Sequence, residues 1–176
     1  LQELKGAALD RFLLRKQGRT WDGVPVPGVT VKALSSGAIK RFRALARQSG
    51  RVEPGIGREP VAVLIDKLRL REGTRLKRAT LLLFHKDPER FVSGAFVKIG
   101  FFRTESDLAY HDEVHGDLFT QVVATIATLQ SKYLKAAIRY EGIQRIEEFP
   151  VPDAALREGL LNALVHRDYA VAAPVQ

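Results

Sequence analysis

The chain has 176 residues, 45% of them hydrophobic and 27% charged, which excludes a disordered or low-complexity polypeptide. It contains no cysteine, so disulfide frameworks, thiolate nucleophiles and cysteine-ligated zinc or iron–sulfur sites are excluded. No apolar run reaches the roughly 18 residues that span a bilayer. A cytoplasmic protein with no membrane partner is therefore expected, and its formal charge of +8 is concentrated in residues 1–90, which hold 20 Lys and Arg against 9 Asp and Glu.

The first elements in chain order are helices separated by loops. Apolar residues at helical spacing predict a helix over Ala7–Lys16. Two prolines and two glycines in Trp21–Gly28 predict a loop, with Trp21 as its anchor. The pair Ser35 and Ser36 then begins an amphipathic, strongly basic helix over Gly37–Ser49.

Three further elements complete this mainly helical region. Pro60 begins a short helix over Val61–Leu68, because proline is favoured in the first turn of a helix. The segment Arg69–Lys77 predicts a small hairpin about Gly73. The apolar segment Arg78–Phe84 is predicted as a helix.

The second half changes to a mixed pattern. Alternation over Ala95–Arg103 predicts a strand, and a long apolar helical period predicts a helix over Leu118–Leu134. Two short strands are predicted at Ala136–Tyr140 and Ile143–Phe149, and a final helix runs from Pro152 or Asp153 to about Asp168. The chain is therefore predicted to be α/β in the α+β sense, with a helix and linker at 1–30, a basic helical region at 31–92 and an α/β region at 93–176.

The basic half presents a candidate surface for DNA. A helix with a basic face, a second helix and a basic hairpin follow one another in the order of winged-helix DNA binders. An ordinary solvated charged face is the alternative reading. The predicted nucleic-acid-binding residues are Lys40, Arg43, Arg47, Arg51, Arg69, Arg71, Arg75, Lys77 and Arg78.

The final predicted helix carries a row of polar residues among apolar ones. Glu158, Asn162 and His166 are spaced i, i+4 and i+8, beside the apolar Leu161 and Val165. An asparagine carbonyl oxygen is a suitable ligand for Mg²⁺, and a glutamate one turn earlier can activate a water for phosphoryl chemistry. A solvated helix face would show the same spacing, and both interpretations stay open at this point.

The segment Leu156–Tyr169 (LREGLLNALVHRDY) closely resembles the start of the ATPase-like domain in bacterial transcriptional regulators related to the ATP-dependent DNA helicase RecG. That domain looks like a divergent member of the gyrase, Hsp90, histidine kinase and MutL superfamily, whose first motif is E-x-x-x-N. A second similarity is to the stretch that follows that family's Schlafen-type AlbA domain, which is a nucleic-acid-binding domain. It covers Gln2–Leu4 to Trp21-Asp22, with Val24-Pro25. Leu76–Pro88 and Arg145–Pro150 resemble the middle region of the family.

The resemblance implies a site for ATP and magnesium. Glu158 would be the catalytic residue that activates water, and Asn162 would coordinate Mg²⁺. His166, Arg167 and Asp168 would complete the cofactor-binding residues. The fold implied is an incomplete ATPase-like sandwich, because the second motif and the glycine-rich lid of the superfamily do not occur in these 176 residues. The absence of methionine and the start at Leu1 lead us to expect a fragment of a longer protein.

Two function classes therefore remain from the sequence. One is an ATP-binding, DNA-associated transcriptional regulator; the other is a non-enzymatic nucleic-acid-binding or protein-interaction module whose last helix is structural. The Walker P-loop pattern of true helicases does not occur in the sequence. His111 and His115, four residues apart, could chelate a metal on a helix, but the acidic segment around Gly116 favours a turn.

Overall fold

The computed structural model describes residues 5–52 and 54–176, and these form helices and small antiparallel sheets, an α+β fold. The start of the family resemblance at Gln2–Leu4 lies outside the described residues. Two compact units are present. The first unit holds the chain up to Ala95 with Gly116–Phe119 and Asp168–Ala173, and the second holds Phe96–His115, Thr120–Arg167 and Pro174–Gln176. None of the helices in the described ranges is long and apolar enough to cross a membrane.

The elements of the first unit match the predicted ones to within two residues at each end. The seven-residue helix predicted over residues 78–84 is confirmed. The order of elements is helix, helix, helix, hairpin, helix: α1 (Ala7–Lys16), α2 (Ser36–Ser49), α3 (Val61–Lys67), β1 (Arg71–Glu72), β2 (Arg75–Leu76) and α4 (Arg78–Phe84).

Local chemistry explains where α2 begins and ends. The side chain of Ser35 accepts a hydrogen bond from the backbone N–H of Ala38 at 3.2 Å, which satisfies one of the free donors of the first turn. Gly50 ends the helix with φ 63°, a left-handed conformation that costs glycine little. These two ends define α2, whose buried face includes Ile39 and Ala46.

The core of the first unit is built around α4. Leu81 and Phe84 are fully buried, together with Leu64, Ile65 and Leu76 from the preceding elements. The Phe84 ring contacts two other aromatic rings, Phe42 edge-on at 5.6 Å and Phe119 at 5.9 Å. Because these residues come from five different elements, the core holds α2, α3, α4 and the hairpin in one arrangement.

The loop over residues 21–28 is held against this core by backbone hydrogen bonds. Val26 donates to Leu76 at 2.7 Å, and Arg78 and Ala79 donate to Val24 and Asp22 at 3.0 Å. Trp21 is half-buried, as expected of an anchor. The loop is therefore ordered by its contacts despite its two prolines.

The second unit contains two separate hairpins and two long helical segments. The helix over residues 118–128 continues as a π-helical turn at Leu129–Tyr133, in place of the regular helix predicted to Leu134. The elements of the second unit are β3 (Val97–Phe102), β4 (Leu108–Val114), α5 (Leu118–Thr128), β5 (Ala137–Glu141), β6 (Gln144–Glu148) and α6 (Asp153–His166). The first two residues of α5 belong to the first unit.

The strand β4 was not predicted from the sequence, which favoured a turn around Gly116; Gly116 follows the strand and lies in a bend with φ 104°. Asp112 and Glu113 of β4 are unfavourable in strands, so composition argued against this strand. Pairing with β3 overrides that preference, with Val97 opposite Val114 and Phe101 opposite Tyr110. On the other edge of β3, Lys98 donates to the carbonyl of Val175 at 2.8 Å in a parallel bridge.

We expect Phe84→Ala to lower the free energy of unfolding by about 3–5 kcal/mol, because it removes a fully buried ring and leaves a cavity between two other rings. Phe12→Ala on α1 is the matched control, since Phe12 is 43% exposed, and it should cost about 1 kcal/mol or less. Urea unfolding followed by circular dichroism measures both values. Equal losses for the two variants would show that α4 does not form the core.

Candidate functional site

The polar row of α6 faces solvent. Glu158, Asn162 and His166 are all exposed, and none of them forms a hydrogen bond or ion pair with another described residue. Leu161 and Val165, which border the row, are 42% and 70% exposed. The row therefore lies against neither a cavity nor a packed core, and its oxygen atoms are accessible.

The neighbouring side of α6 lines an apolar groove of about 450 Å³ in the second unit. Its floor includes Val97 and Ile99 of β3, and the helix contributes the small residues Ala155, Gly159 and Ala163. Leu164 is the buried residue of α6, at 3% exposure. The helix therefore packs through Leu164 and the partly buried Leu156 and Leu160, and this arrangement leaves the polar row outside.

The donor atoms in the row suit magnesium. Mg²⁺ prefers hard oxygen ligands and retains several waters, so it needs only one or two protein oxygens beside those of a phosphate. Asn162 and Glu158 supply an amide oxygen and a carboxylate one helical turn apart, and both are accessible. In the described part of the chain, no group of three or more His, Asp and Glu side chains forms a metal site by itself.

The tail of the motif leaves the helix. Arg167 is the C-cap of α6, and Asp168 belongs to the first unit, where its carboxylate lies 3.2 Å from the Arg11 guanidinium. Asp168 also accepts a hydrogen bond from the backbone N–H of Ala170 at 3.1 Å. Tyr169 stacks on Trp21 with ring centroids 6.0 Å apart. Asp168 and Tyr169 therefore fix the chain after α6 to the first unit, a role that the sequence pattern did not indicate.

Four of the nine predicted DNA-binding cations are already engaged within the first unit. Arg43 donates to the backbone carbonyl of Glu59, and Arg71 forms an ion pair with Asp66 that lowers the pKa of the Asp66 carboxyl. Lys77 donates to the carbonyl of Arg69 at 2.7 Å.

Arg78 is the fourth engaged cation. Its guanidinium lies 4.5 Å from the ring centroid of Trp21, and partial burial lowers its pKa. It also donates weakly, at 3.4 Å, to the Trp21 carbonyl. These contacts give Arg78 a structural part in holding the loop that begins at Trp21.

The other five cations are exposed. Lys40 and Arg47 lie two turns apart on the same side of α2, and Arg51 follows the helix. The helix–helix–hairpin order predicted for a winged helix is present, but each strand of the hairpin has only two residues and the helix after it is buried. The five exposed cations are Lys40, Arg47, Arg51, Arg69 and Arg75, and none of their side chains has a hydrogen-bond or ion-pair partner among the described residues.

His111 and His115 do not form a pair. His111 lies within β4, where four residues span about 13 Å, so a shared metal ion is excluded by distance. The His115 ring stacks on Phe96 at 5.0 Å, and its Nε2 atom lies 3.5 Å from Glu113. The contacts of this histidine are therefore structural.

One cluster in the second unit was missed by the sequence interpretation. Asp112 accepts hydrogen bonds from Lys132 Nζ and from the Tyr133 hydroxyl, each at 2.6 Å. The hydrogen bonds from Lys132 and Tyr133 lower the pKa of Asp112, whereas desolvation and the hydrogen bond to Asp112 raise the pKa of Tyr133 to about 12. About twenty residues of sequence separate the partners, and no strand was predicted over β4, so no local pattern could have indicated the cluster.

No protein-family model matches the chain, and no curated protein does either. Among solved structures, the chain is similar to the DIP2311 protein from Corynebacterium diphtheriae, with a TM-score of 0.62 and 20% sequence identity. The similarity covers 93% of this chain and 31% of that one, so this chain spans about a third of the length of that neighbour. At this level of identity, the two proteins share a fold, and nothing more follows.

We expect Tyr133 to lose its proton only at about pH 12, later than an ordinary tyrosine at about pH 10. Because its folded-state pKa is raised, the stability it contributes is present below about pH 10 and is lost as the pH rises towards 12. The pKa of Asp112 is lowered instead. The stability that ionised Asp112 contributes is therefore present at neutral pH and is lost as the pH falls below the ordinary pKa range of a carboxyl.

An alkaline titration followed by tyrosinate absorbance measures this effect. Asp112→Asn should move the late step towards the ordinary value, and Tyr133→Phe should abolish it. Tyr140→Phe is the control, because Tyr140 is 68% exposed. If all the tyrosines of the wild-type protein titrate together, the cluster does not exist in solution.

Proposed function

We propose that this chain is part of a nucleotide-dependent transcriptional regulator related to the ATP-dependent DNA helicase RecG, in which Mg-ATP binds at Glu158 and Asn162. The observation that supports this proposal is the placement of the E-x-x-x-N pattern. Both residues lie on one regular helix, one turn apart, exposed and without partners among the described residues. The leucine-rich side of the helix holds them in position without using their polar atoms.

Each side chain has a chemical role in this proposal. Asn162 offers its amide oxygen as a ligand, and Glu158 accepts a proton from a water molecule through its carboxylate. Bound magnesium would neutralise the charge of phosphate oxygens beside these residues. His166 extends the row by one turn. Arg167 and Asp168 are also proposed as cofactor residues, although Asp168 already pairs with Arg11.

We expect the full-length protein to bind Mg-ATP and the Asn162→Ala variant to bind it at least about tenfold more weakly, because a magnesium ligand is removed. Glu158→Gln should retain binding and lower any ATP hydrolysis by about 10²–10⁴-fold, since the proton acceptor is lost. Titration calorimetry and a phosphate-release assay measure the two effects.

Arg157→Ala is the matched control, since it lies on α6 outside the row and makes only a long contact of 4.0 Å with Asp153. Loss of binding in Asn162→Ala with retention in Arg157→Ala supports the proposal. If wild-type protein and both row variants behave alike, α6 is a structural helix, and the non-enzymatic interaction module becomes the better account.

Binding of DNA by the first unit is a second proposed function, supported by a separate observation. Five exposed cations there have no ion-pair partner among the described residues, whereas four others are engaged in internal contacts. Phosphate groups bind such free cations, and the release of counterions makes the affinity depend steeply on salt. The cytoplasmic setting expected from the sequence is compatible with this partner.

We expect duplex DNA to bind at low salt, and the double variant Lys40→Ala/Arg47→Ala to bind more weakly with a salt slope reduced by about 2. Fluorescence anisotropy at several salt concentrations measures both quantities. Arg103→Ala/Arg157→Ala removes the same charge from the second unit and should leave the slope unchanged. An absence of binding by the wild-type protein at low salt would remove DNA as a partner of this chain.

A further inference from the structure

The hairpin formed by β5 and β6 is exposed to an unusual degree. Every residue of β5 is exposed, with Ile138 at 52% and Tyr140 at 68%. Ile143, in the turn, is fully exposed. A two-stranded hairpin is marginally stable in water, and at least three strands are usually needed for independent stability. The hairpin therefore presents apolar side chains, and no third strand joins it within residues 5–52 and 54–176.

The register identifies which backbone groups are free. Glu141 pairs with Gln144 across a two-residue turn in which Gly142 has φ 62°. Hydrogen-bonded and non-hydrogen-bonded pairs alternate along an antiparallel ladder, starting from the bonded pair that flanks such a turn. Ile138 and Tyr140 therefore direct their N–H and C=O groups away from β6. Within the described ranges, no other strand pairs with that edge.

The charges along β5 suit pairing with an identical strand. If two copies of β5 lie antiparallel about a two-fold axis at Tyr140, Arg139 of each copy lies opposite Glu141 of the other. These would be non-hydrogen-bonded positions, where opposing side chains approach most closely. A two-fold axis at Arg139 would instead place two arginines opposite each other, and an axis at Ile138 would place Arg139 opposite the uncharged Ala137, so the axis at Tyr140 is the one that pairs Arg139 with Glu141.

We propose that the free edge of β5 pairs antiparallel with β5 of a second copy of this chain, centred on Tyr140, to form a four-stranded sheet. Tyr140 lies beside its own counterpart, and the exposed Ile138 lies opposite the turn residue Gly142 of the other copy. The contact is small compared with a standard protein interface, so the dimer is weak and forms reversibly with concentration. Nucleotide binding at α6 is not needed for this association.

Sedimentation velocity over a range of protein concentrations tests the pairing. The wild-type chain should show a reversible monomer–dimer equilibrium that weakens with salt. Arg139→Glu and Glu141→Arg each place like charges opposite one another twice per dimer, and each should raise the dissociation constant about tenfold or more. Arg103→Glu, a charge reversal on another exposed arginine, is the control and should dimerise like the wild type.

Mixing the variants separates pairing from damage to the hairpin. In an equimolar mixture of Arg139→Glu and Glu141→Arg, both cross-strand pairs are attractive again, so dimers should return. The double variant Arg139→Glu/Glu141→Arg should dimerise with itself for the same reason, and it keeps the contact between residues 139 and 141 with reversed charges. Far-UV circular dichroism checks that each variant is folded.

Three results would overturn the proposal. The first is a wild-type chain that stays monomeric over the whole concentration range. The second is a dimer that neither single reversal weakens, which would assign the contact to another surface. The third is a failure of both the mixture and the double variant to recover association while the proteins remain folded.

Discussion

The buried helix α4 is the element on which the first unit depends. It has only seven residues, so it would not be stable in isolation, and its stability comes from the complete burial of Leu81 and Phe84. The residues immediately before and within it also hold the rest of the unit. Arg78 lies over Trp21, and the Phe84 carbonyl accepts a hydrogen bond from Ser35 at the start of α2. The position of the basic helix thus follows from the packing of an apolar one.

This packing divides the basic residues into two groups. An arginine that must hold a carbonyl or cover a tryptophan is not free to bind phosphate, and Arg43 and Arg78 are of this kind. Lys40 and Arg47 remain exposed because the buried face of α2, with Ile39 and Ala46, lies about 100° away around the helix. The proposed DNA surface is therefore smaller than the charge of the sequence indicated.

The helix α6 shows a similar division between packing and chemistry. Leu164 is buried and the small residues line an open apolar groove, while Glu158 and Asn162 are left on the surface. A surface position is compatible with both interpretations of the polar row, so the proposed nucleotide site depends on the type and spacing of its residues. The segment that follows is fixed to the first unit by Asp168 and Tyr169, so one short motif carries both a candidate site and a structural attachment.

The sequence by itself determined the helices, the strands of the β1–β2 and β5–β6 hairpins and the α+β class, because periodicity, prolines and glycines act locally. Ala7–Lys16 and Arg78–Phe84 were predicted with the bounds that the structure has. Tertiary structure decided what local patterns do not contain. It made Leu108–Val114 a strand by pairing it with β3, and it brought Asp112 to Tyr133 across twenty residues. It also decided which arginines form internal contacts and which remain exposed. The physical reason is that pairing and burial depend on residues distant in sequence, and their free energies exceed the weak local preferences of a polar segment.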